Sequence, residues 1–293
     1  LFRALIIKSS LYLCAILPLP ISHLIGALIG AVVARLPGRV QSVTRTNIDL
    51  CFPELPRQQR RRLVTACLRE TGKTALEIGA LWLRPAGMVL RLVRAVEGVE
   101  HVEAAQAKGQ GIILATPHLG AWEVAGLYCA SRYDITCLYR PLRMKELDEL
   151  VRHARNRAGG NYVPTTTQGI RTLYRTLADN RAVAMLPDQE PQAGTGMFAP
   201  FFGLQAYTMV FLSRLTAKTG APIIFVWSER LSFGRGYRLH FRPAHTAAYD
   251  NDLAVSVAAI NRSVENMIRE CPEQYQWNYR RFRTRPAGEP QIY

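Results

Sequence analysis

The stretch from Gly111 to Glu123, Gly-Ile-Ile-Leu-Ala-Thr-Pro-His-Leu-Gly-Ala-Trp-Glu, most narrows what this 293-residue chain can fold into. Ile112 to Ala115 is an apolar run opened by a glycine and closed by Thr116-Pro117, which predicts a short buried strand. His118 follows directly, and an amphipathic segment begins near Gly120. A strand, a polar side chain at its carboxyl end and then a helix is the arrangement in which α/β proteins place chemistry. His118 and Glu123 lie five residues apart, about 140° round a regular helix. They meet only if His118 stays in the loop and Glu123 sits in the first helical turn, which Pro117 and Gly120 favour.

The pattern recurs along the chain. Short apolar strands are expected at 93–96, 134–139, 182–186 and 223–229, with an edge strand at 237–241. Helices are expected at 43–50, 57–83, 99–108, 145–157, 169–179, 208–219 and 251–270. Such alternation predicts an α/β fold, a central and mostly parallel sheet flanked by helices. Residues 189–206, rich in Gly, Pro and Phe, are expected to form an irregular lid or substrate wall, being long for a passive connection. No internal repeat or domain-dividing linker stands out.

The amino-terminal region adds a second constraint. Ser9 to Ala34 is 26 residues without Lys, Arg, Asp or Glu, long enough to cross a bilayer. Pro18 and Pro20 interrupt it, and Ser22 and His23 lie near its middle. A signal peptide, a kinked span or re-entrant anchor, and a helical hairpin packed on the rest of the chain all fit. Secretion is the weakest, because no small-x-small cleavage site precedes a polar start. A helical membrane anchor over residues 1–38 is therefore expected, with Arg35, Arg39 and Arg45 keeping residues 39–293 on the cytoplasmic face.

The balance of 37 Lys and Arg against 22 Asp and Glu gives a net charge of +15. It calls for an anionic partner: nucleic acid, anionic lipid, or a phosphorylated or acidic substrate carrier. The cluster Arg57, Arg60, Arg61 and Arg62 suits either lipid headgroups or a solvated helix face. Trp82 suits either a membrane interface or the core. The six cysteines form no CxxC pair, and the six histidines are scattered. Reduced thiols facing the cytosol and no metal site are expected.

Three expected strand ends carry polar groups: His118, Arg140 after Tyr139, and Asp188 after Leu186. In an open α/β sheet such ends line one crevice. His118 beside a carboxylate suits general-base work, because the acid fixes the tautomer and stabilises the imidazolium formed when a hydroxyl gives up its proton. Glu123 and Asp188 both qualify as that acid. Arg140 suits a phosphate or a developing oxyanion. Each residue taken singly also has a structural explanation, as a loop cap, a first-turn acid or a turn former. There is no Gly-x-Ser-x-Gly elbow, and Cys129 and Cys137 sit in apolar contexts, so covalent catalysis is not expected. No P-loop or dinucleotide fingerprint is present. Dispersed arginines without a stacking or helix-turn-helix pattern argue against nucleic acid.

His118-x-x-x-x-Glu123 resembles the His-x-x-x-x-Asp/Glu motif of the lysophospholipid acyltransferase superfamily. Further stretches narrow the resemblance to the bacterial lipid A biosynthesis late acyltransferases, the lauroyl and myristoyl transferases. They are Asn47-Ile48-x-x-Cys51-Phe52-Pro53-Glu54, Tyr139-Arg140-Pro141, Leu186-Pro187-Asp188-Gln189, Gly196-x-Phe198-x-Pro200-Phe201-Phe202-Gly203, and Gln274-Tyr275-x-Trp277-x-x-Arg280-Arg281-Phe282.

The resemblance implies an enzyme at the cytoplasmic face of a Gram-negative inner membrane, with no bound cofactor. It would move a fatty acyl chain from acyl-acyl carrier protein, or acyl-coenzyme A, to a hydroxyl of a phosphorylated, acylated glucosamine-disaccharide lipid. It implies His118 as base, Glu123 as motif acid, and Arg140 and Asp188 as site residues. Trp122 and the loop bearing Gly196, Phe198, Phe201 and Gly203 would wall the acyl or sugar site. Without a nucleophile, the transfer would be direct. The alternatives are a relative acylating a mannosylated phosphatidylinositol or an ornithine lipid, and a non-catalytic basic membrane or nucleic-acid binder.

Overall fold

The computed structural model describes residues 2–142 and 144–293, so Leu1 of the expected 1–38 anchor lies outside the described residues. The apolar segment forms two helices, α1 (Phe2–Ile16) and α2 (Leu19–Val33), parted at Pro18. Fifteen residues make a helix of about 22 Å, short of a hydrocarbon core of about 30 Å. Among the described residues no helix is long and apolar enough to cross a membrane. Three more helices follow, α3 (Arg39–Cys51), α4 (Arg57–Leu83) and α5 (Ala86–Leu90).

The hairpin packs on α4. Gly26 and Gly30 of α2 meet α4 backbone to backbone, and a Cβ on Gly72 would come 1.9 Å from the Gly26 carbonyl oxygen. Ser22 and His23, the polar residues inside the apolar run, face inward and are buried. Leu13, Ile16, Leu24, Leu28 and Val32 point outward, each more than half exposed.

The remaining elements are β1 (Val93–Glu97), α6 (Val99–Gln106), β2 (Ile112–Ala115), α7 (Trp122–Arg132), β3 (Ile135–Tyr139), α8 (Lys145–Asn156), β4 (Asn161–Pro164), α9 (Thr167–Ala178) and β5 (Ala182–Met185). They continue with β6 (Gly196–Phe201), β7 (Leu204–Met209), α10 (Phe211–Thr219), β8 (Ile223–Arg230), β9 (Tyr237–Pro243) and α11 (Leu253–Glu270). Seven strands form one sheet in the order β1-β9-β8-β2-β5-β3-β4. Every pairing is parallel except β8 with β9. Helices flank the sheet, and all four residues of β2 are buried at its centre. The fold is α/β.

Three local expectations change. Tyr237–Pro243 is not an edge strand, because it lies between β1 and β8. Two of its polar residues pair with acids on the neighbouring strands: Arg238 lies 3.3 Å from Glu97, and His240 lies 3.0 Å from Glu229. Residues 196–209 form a hairpin where an irregular loop was expected, and α10 consequently begins at Phe211 and not at 208. Phe202 and Gly203 at its tip both have positive φ, 48° and 77°, as a two-residue turn compatible with strand twist requires. The short β4, set between glycines and Pro164, was not foreseen. It pairs with β3 at the sheet's end.

Candidate active site

In the sheet β5 lies between β2 and β3, so Asp188 follows a strand flanked by those that lead to His118 and Arg140. Nδ1 of His118 donates to Oδ1 of Asp188 at 2.9 Å, and the His118 backbone N–H donates to Oδ2 at 2.9 Å. Burial alone would push the Asp188 carboxyl up. The His118 charge and these hydrogen bonds outweigh it and hold the carboxyl below its ordinary value. An ionised Asp188 accepts from Nδ1–H, which leaves Nε2 as the nitrogen with a lone pair. The Tyr275 phenol beside Asp188 is pushed well up, by burial first and by that negative charge second. Trp122 packs against the His118 ring with centroids 5.3 Å apart.

The loop bearing His118 is tied down through its backbone. The His118 carbonyl accepts from Gln276 N–H at 3.1 Å, Gly120 N–H donates to the Gln274 carbonyl at 3.0 Å, and Ala121 N–H donates to the Ser228 carbonyl at 2.7 Å. Gly120 has φ +62°, and a Cβ there would meet the Ser228 oxygen at 1.9 Å, so no other residue fits. The Gln274-to-Phe282 stretch thus has a structural task. Asn47 shares it, donating to the carbonyls of Trp277 and Tyr279 at 2.7 and 2.8 Å.

Beneath the loop, Arg230 at the end of β8 donates to the Gly120 carbonyl at 2.9 Å. It also pairs with Glu77 of α4 at 2.6 Å. Glu77 takes further hydrogen bonds from His23 of α2 at 2.9 Å and from the Tyr237 hydroxyl at 3.0 Å. This buried cluster joins the amino-terminal hairpin, the sheet and the motif loop. Nothing in the sequence paired these residues, although a charged residue closing an apolar strand, as Arg230 does, was a visible signal.

Glu123 sits in the first turn of α7, as expected, yet Arg155 of α8 occupies it, at 2.5 Å from Oε1 and 3.1 Å from Oε2. Burial pushes the Glu123 carboxyl up, but Arg155 overrides this and lowers it, and the His118 charge contributes least. Of the two candidate acids, Asp188 is the one hydrogen-bonded to His118.

A cavity of about 550 Å³ opens at the strand ends, with His118, Tyr139, Arg140, Arg155, Gln189 and Arg214 in its lining. A smaller hollow of about 60 Å³, lined by Trp122, Glu123, Cys137 and Tyr162, shares Leu138, Tyr139, Arg155, Met185 and Leu186 with it. Four expected wall residues are not in the lining. Gly196 and Phe198 lie in β6, with Phe198 against Tyr207, Gly203 is at the hairpin tip, and Phe201 is buried in the core against Phe282. They fell outside because the segment folds as a hairpin whose aromatic residues pack inward. Gly194, Thr195 and Met209 line the cavity instead. Burial raises the thiols of Cys129 and Cys137, the latter to about 12, so neither is available as a thiolate. Arg155 and Arg214 also line the cavity, although nothing in a basic or an apolar helix singles them out in the sequence.

The site is thus a histidine whose Nδ1 is held by a buried aspartate, in the lining of a cavity of about 550 Å³. The sequence profile of the bacterial lipid A biosynthesis acyltransferases matches residues 4–284. A lipid A biosynthesis palmitoleoyltransferase of Escherichia coli K12 is 31% identical over 97% of this chain and 92% of its own. A lipid A biosynthesis lauroyltransferase of the same strain is 28% identical over the same shares. A phosphatidylinositol mannoside acyltransferase of Mycobacterium tuberculosis is 26% identical over 70% of this chain and 66% of its own. The chain belongs to the bacterial lipid A biosynthesis acyltransferase family and is an acyltransferase.

Glu123→Gln removes the counter-charge of Arg155 and is expected to cost about 2 kcal/mol of stability. Because Asp188 and not Glu123 holds His118, the pH profile of turnover should keep its shape in this variant. A moved profile would return Glu123 to the role of orienting acid.

Proposed function

We propose that this enzyme acylates a hydroxyl of an acylated, phosphorylated lipid A precursor, with an acyl-carrier-protein or coenzyme A thioester as donor. The observation that carries the reading is the Asp188–His118 pair, with Nε2 available at the cavity. His118 Nε2 takes the proton of the acceptor hydroxyl as its oxygen attacks the thioester carbonyl. Asp188, ionised, stabilises the imidazolium. The tetrahedral oxyanion collapses, the carbon–sulfur bond breaks, and the departing thiolate recovers the proton from Nε2. The products are an ester and a free thiol, with no acyl-enzyme. Arg140 and Arg214, at the cavity wall, suit the acceptor phosphates. Glu123 serves indirectly, by fixing Arg155 in the cavity lining.

The outward apolar face of α1 and α2 would place the site at the cytoplasmic surface of the inner membrane, lying in the interface without crossing it. An acceptor that barely leaves the bilayer would then meet the cavity without extraction into water.

The test is incubation of the purified protein with a tetra-acylated lipid A precursor and a panel of carrier-protein and coenzyme A thioesters, read by mass spectrometry. Addition of one acyl chain is expected. No addition with any donor, alongside acylation of a phosphatidylinositol mannoside, would move the acceptor to that second class.

A further inference from the structure

A basic groove runs along α4 beside the amino-terminal hairpin, apart from the cavity that holds His118. It comprises a hollow of about 660 Å³, lined by Arg61, Arg62, Arg69 and Lys73, and one of about 340 Å³, lined by Arg45, Arg57, Arg60 and Arg61. Arg62, Arg69 and Lys73 recur at helical spacing, so α4 presents them on one side. The groove borders α2 directly. Gly30 of α2 abuts the backbone of Leu68 and Arg69, and Gly26 abuts that of Lys73.

Most of its cations are uncompensated. The two carboxylates in the lining, Asp49 and Glu70, are already engaged, Asp49 by Arg60 at 2.8 Å and Glu70 by Lys73. Arg60 also donates to the carbonyls of Pro53 and Leu55, which makes it a brace between α3 and α4. Among the described residues, Arg45, Arg57, Arg61, Arg62 and Arg69 have no acid within ion-pair distance, and all five are exposed. A simple solvated helix face would be convex and interspersed with acids. Here five spare guanidinium groups line a concavity, and the next surface along is apolar.

We infer that this groove is a phosphate-binding site for the headgroups of anionic lipids at the membrane surface. This rests on the membrane attachment proposed above and adds what that attachment recognises. With the apolar face of α1 and α2 among the acyl chains, the arginines of α3 and α4 stand at headgroup height, where each basic residue near an anionic surface contributes about 1 kcal/mol. Guanidinium groups suit phosphodiesters because their paired N–H donors match two phosphate oxygens. The hairpin supplies attachment to any bilayer, and the groove supplies preference for anionic ones and fixes the roll of the protein about the hairpin.

The test is co-sedimentation of the intact protein with vesicles of phosphatidylcholine alone or mixed with phosphatidylglycerol, at low and high salt. The wild type should bind the mixed vesicles at least about tenfold more tightly, with that gain lost at high salt. The triple variant Arg61→Glu/Arg62→Glu/Arg69→Glu should lose the gain and keep its binding to phosphatidylcholine. Arg45→Gln/Arg57→Gln, a milder pair in the second hollow, should lose part of it. Arg171→Glu/Arg175→Glu on α9, exposed and outside the groove, should keep it. The inference falls if the triple variant retains the gain, or if the α9 pair loses as much, which would make the effect one of net charge. Loss of salt-sensitive capture by acyl carrier protein with the lipid preference intact would also overturn it, in favour of a protein partner. Acyl transfer measured in detergent with dispersed substrates is a separate readout, so failure of the groove and failure of the acyltransfer reading can be told apart.

Discussion

His118→Ala should lower turnover about 10³- to 10⁴-fold while leaving the thermal midpoint within a few degrees of wild type. The ring sits at the cavity wall, and its loop is held by backbone hydrogen bonds that survive truncation. Asp188→Asn should lose a comparable factor for a different reason. An amide can donate to Nδ1 and turn the lone pair away from the acceptor hydroxyl, the same tautomer error that follows when the aspartate of a serine-protease triad is neutralised. Steady-state rates on thioester and lipid acceptor check both. Activity of His118→Ala within a few-fold of wild type would remove the base from the mechanism, and an acyl-enzyme trapped with thioester alone would remove direct transfer.

Glu77→Gln should lower stability by about 3 kcal/mol, because it leaves the buried Arg230 without its closest counter-charge and with only Glu70, at 3.6 Å, to face it. Burial pushes the Glu77 carboxyl up, yet Arg230 and His23 outweigh it and hold the carboxyl at about 2. Its folded value thus lies below the ordinary 4.5. The stabilisation is therefore complete above that ordinary value and is lost as the pH falls from there toward about 2. Denaturant midpoints across that range should drop steeply for wild type and less for Glu77→Gln. Parallel slopes would show that Glu77 is not the group responsible. Since Arg230 also holds the Gly120 carbonyl, the variant should lose turnover too, without contact with substrate.

Most helices and strands were legible because their causes are local. The apolar run 112–115, the glycines and prolines that punctuate it, and the amphipathic spacing of 57–83 each act within a few residues. The positions of His118, Arg140 and Asp188 at strand ends followed from the same pattern, and the order β2-β5-β3 makes them neighbours. Residues 196–209 misled because glycine, proline and phenylalanine suggest an irregular loop, whereas a two-residue turn at Phe202-Gly203 closes a hairpin. The alternation of 237–243 misled because ion pairs across strands imitate a solvent-facing edge.

The amino-terminal segment divides the two kinds of information well. Its length without charge was evident, and so were Pro18, Ser22 and His23 as interruptions. Only packing shows that Ser22 and His23 turn inward, His23 onto Glu77, while Leu13, Ile16, Leu24 and Leu28 face outward. The sequence by itself determined an α/β sheet with a histidine and two acids at its carboxyl edge, because strand and helix periods are short-range properties. The tertiary structure alone decided that Asp188, 70 residues away, holds His118, while the nearer Glu123 is taken by Arg155. Hydrogen bonds form between groups that the fold brings within about 3 Å, and distance along the chain does not predict distance across the sheet.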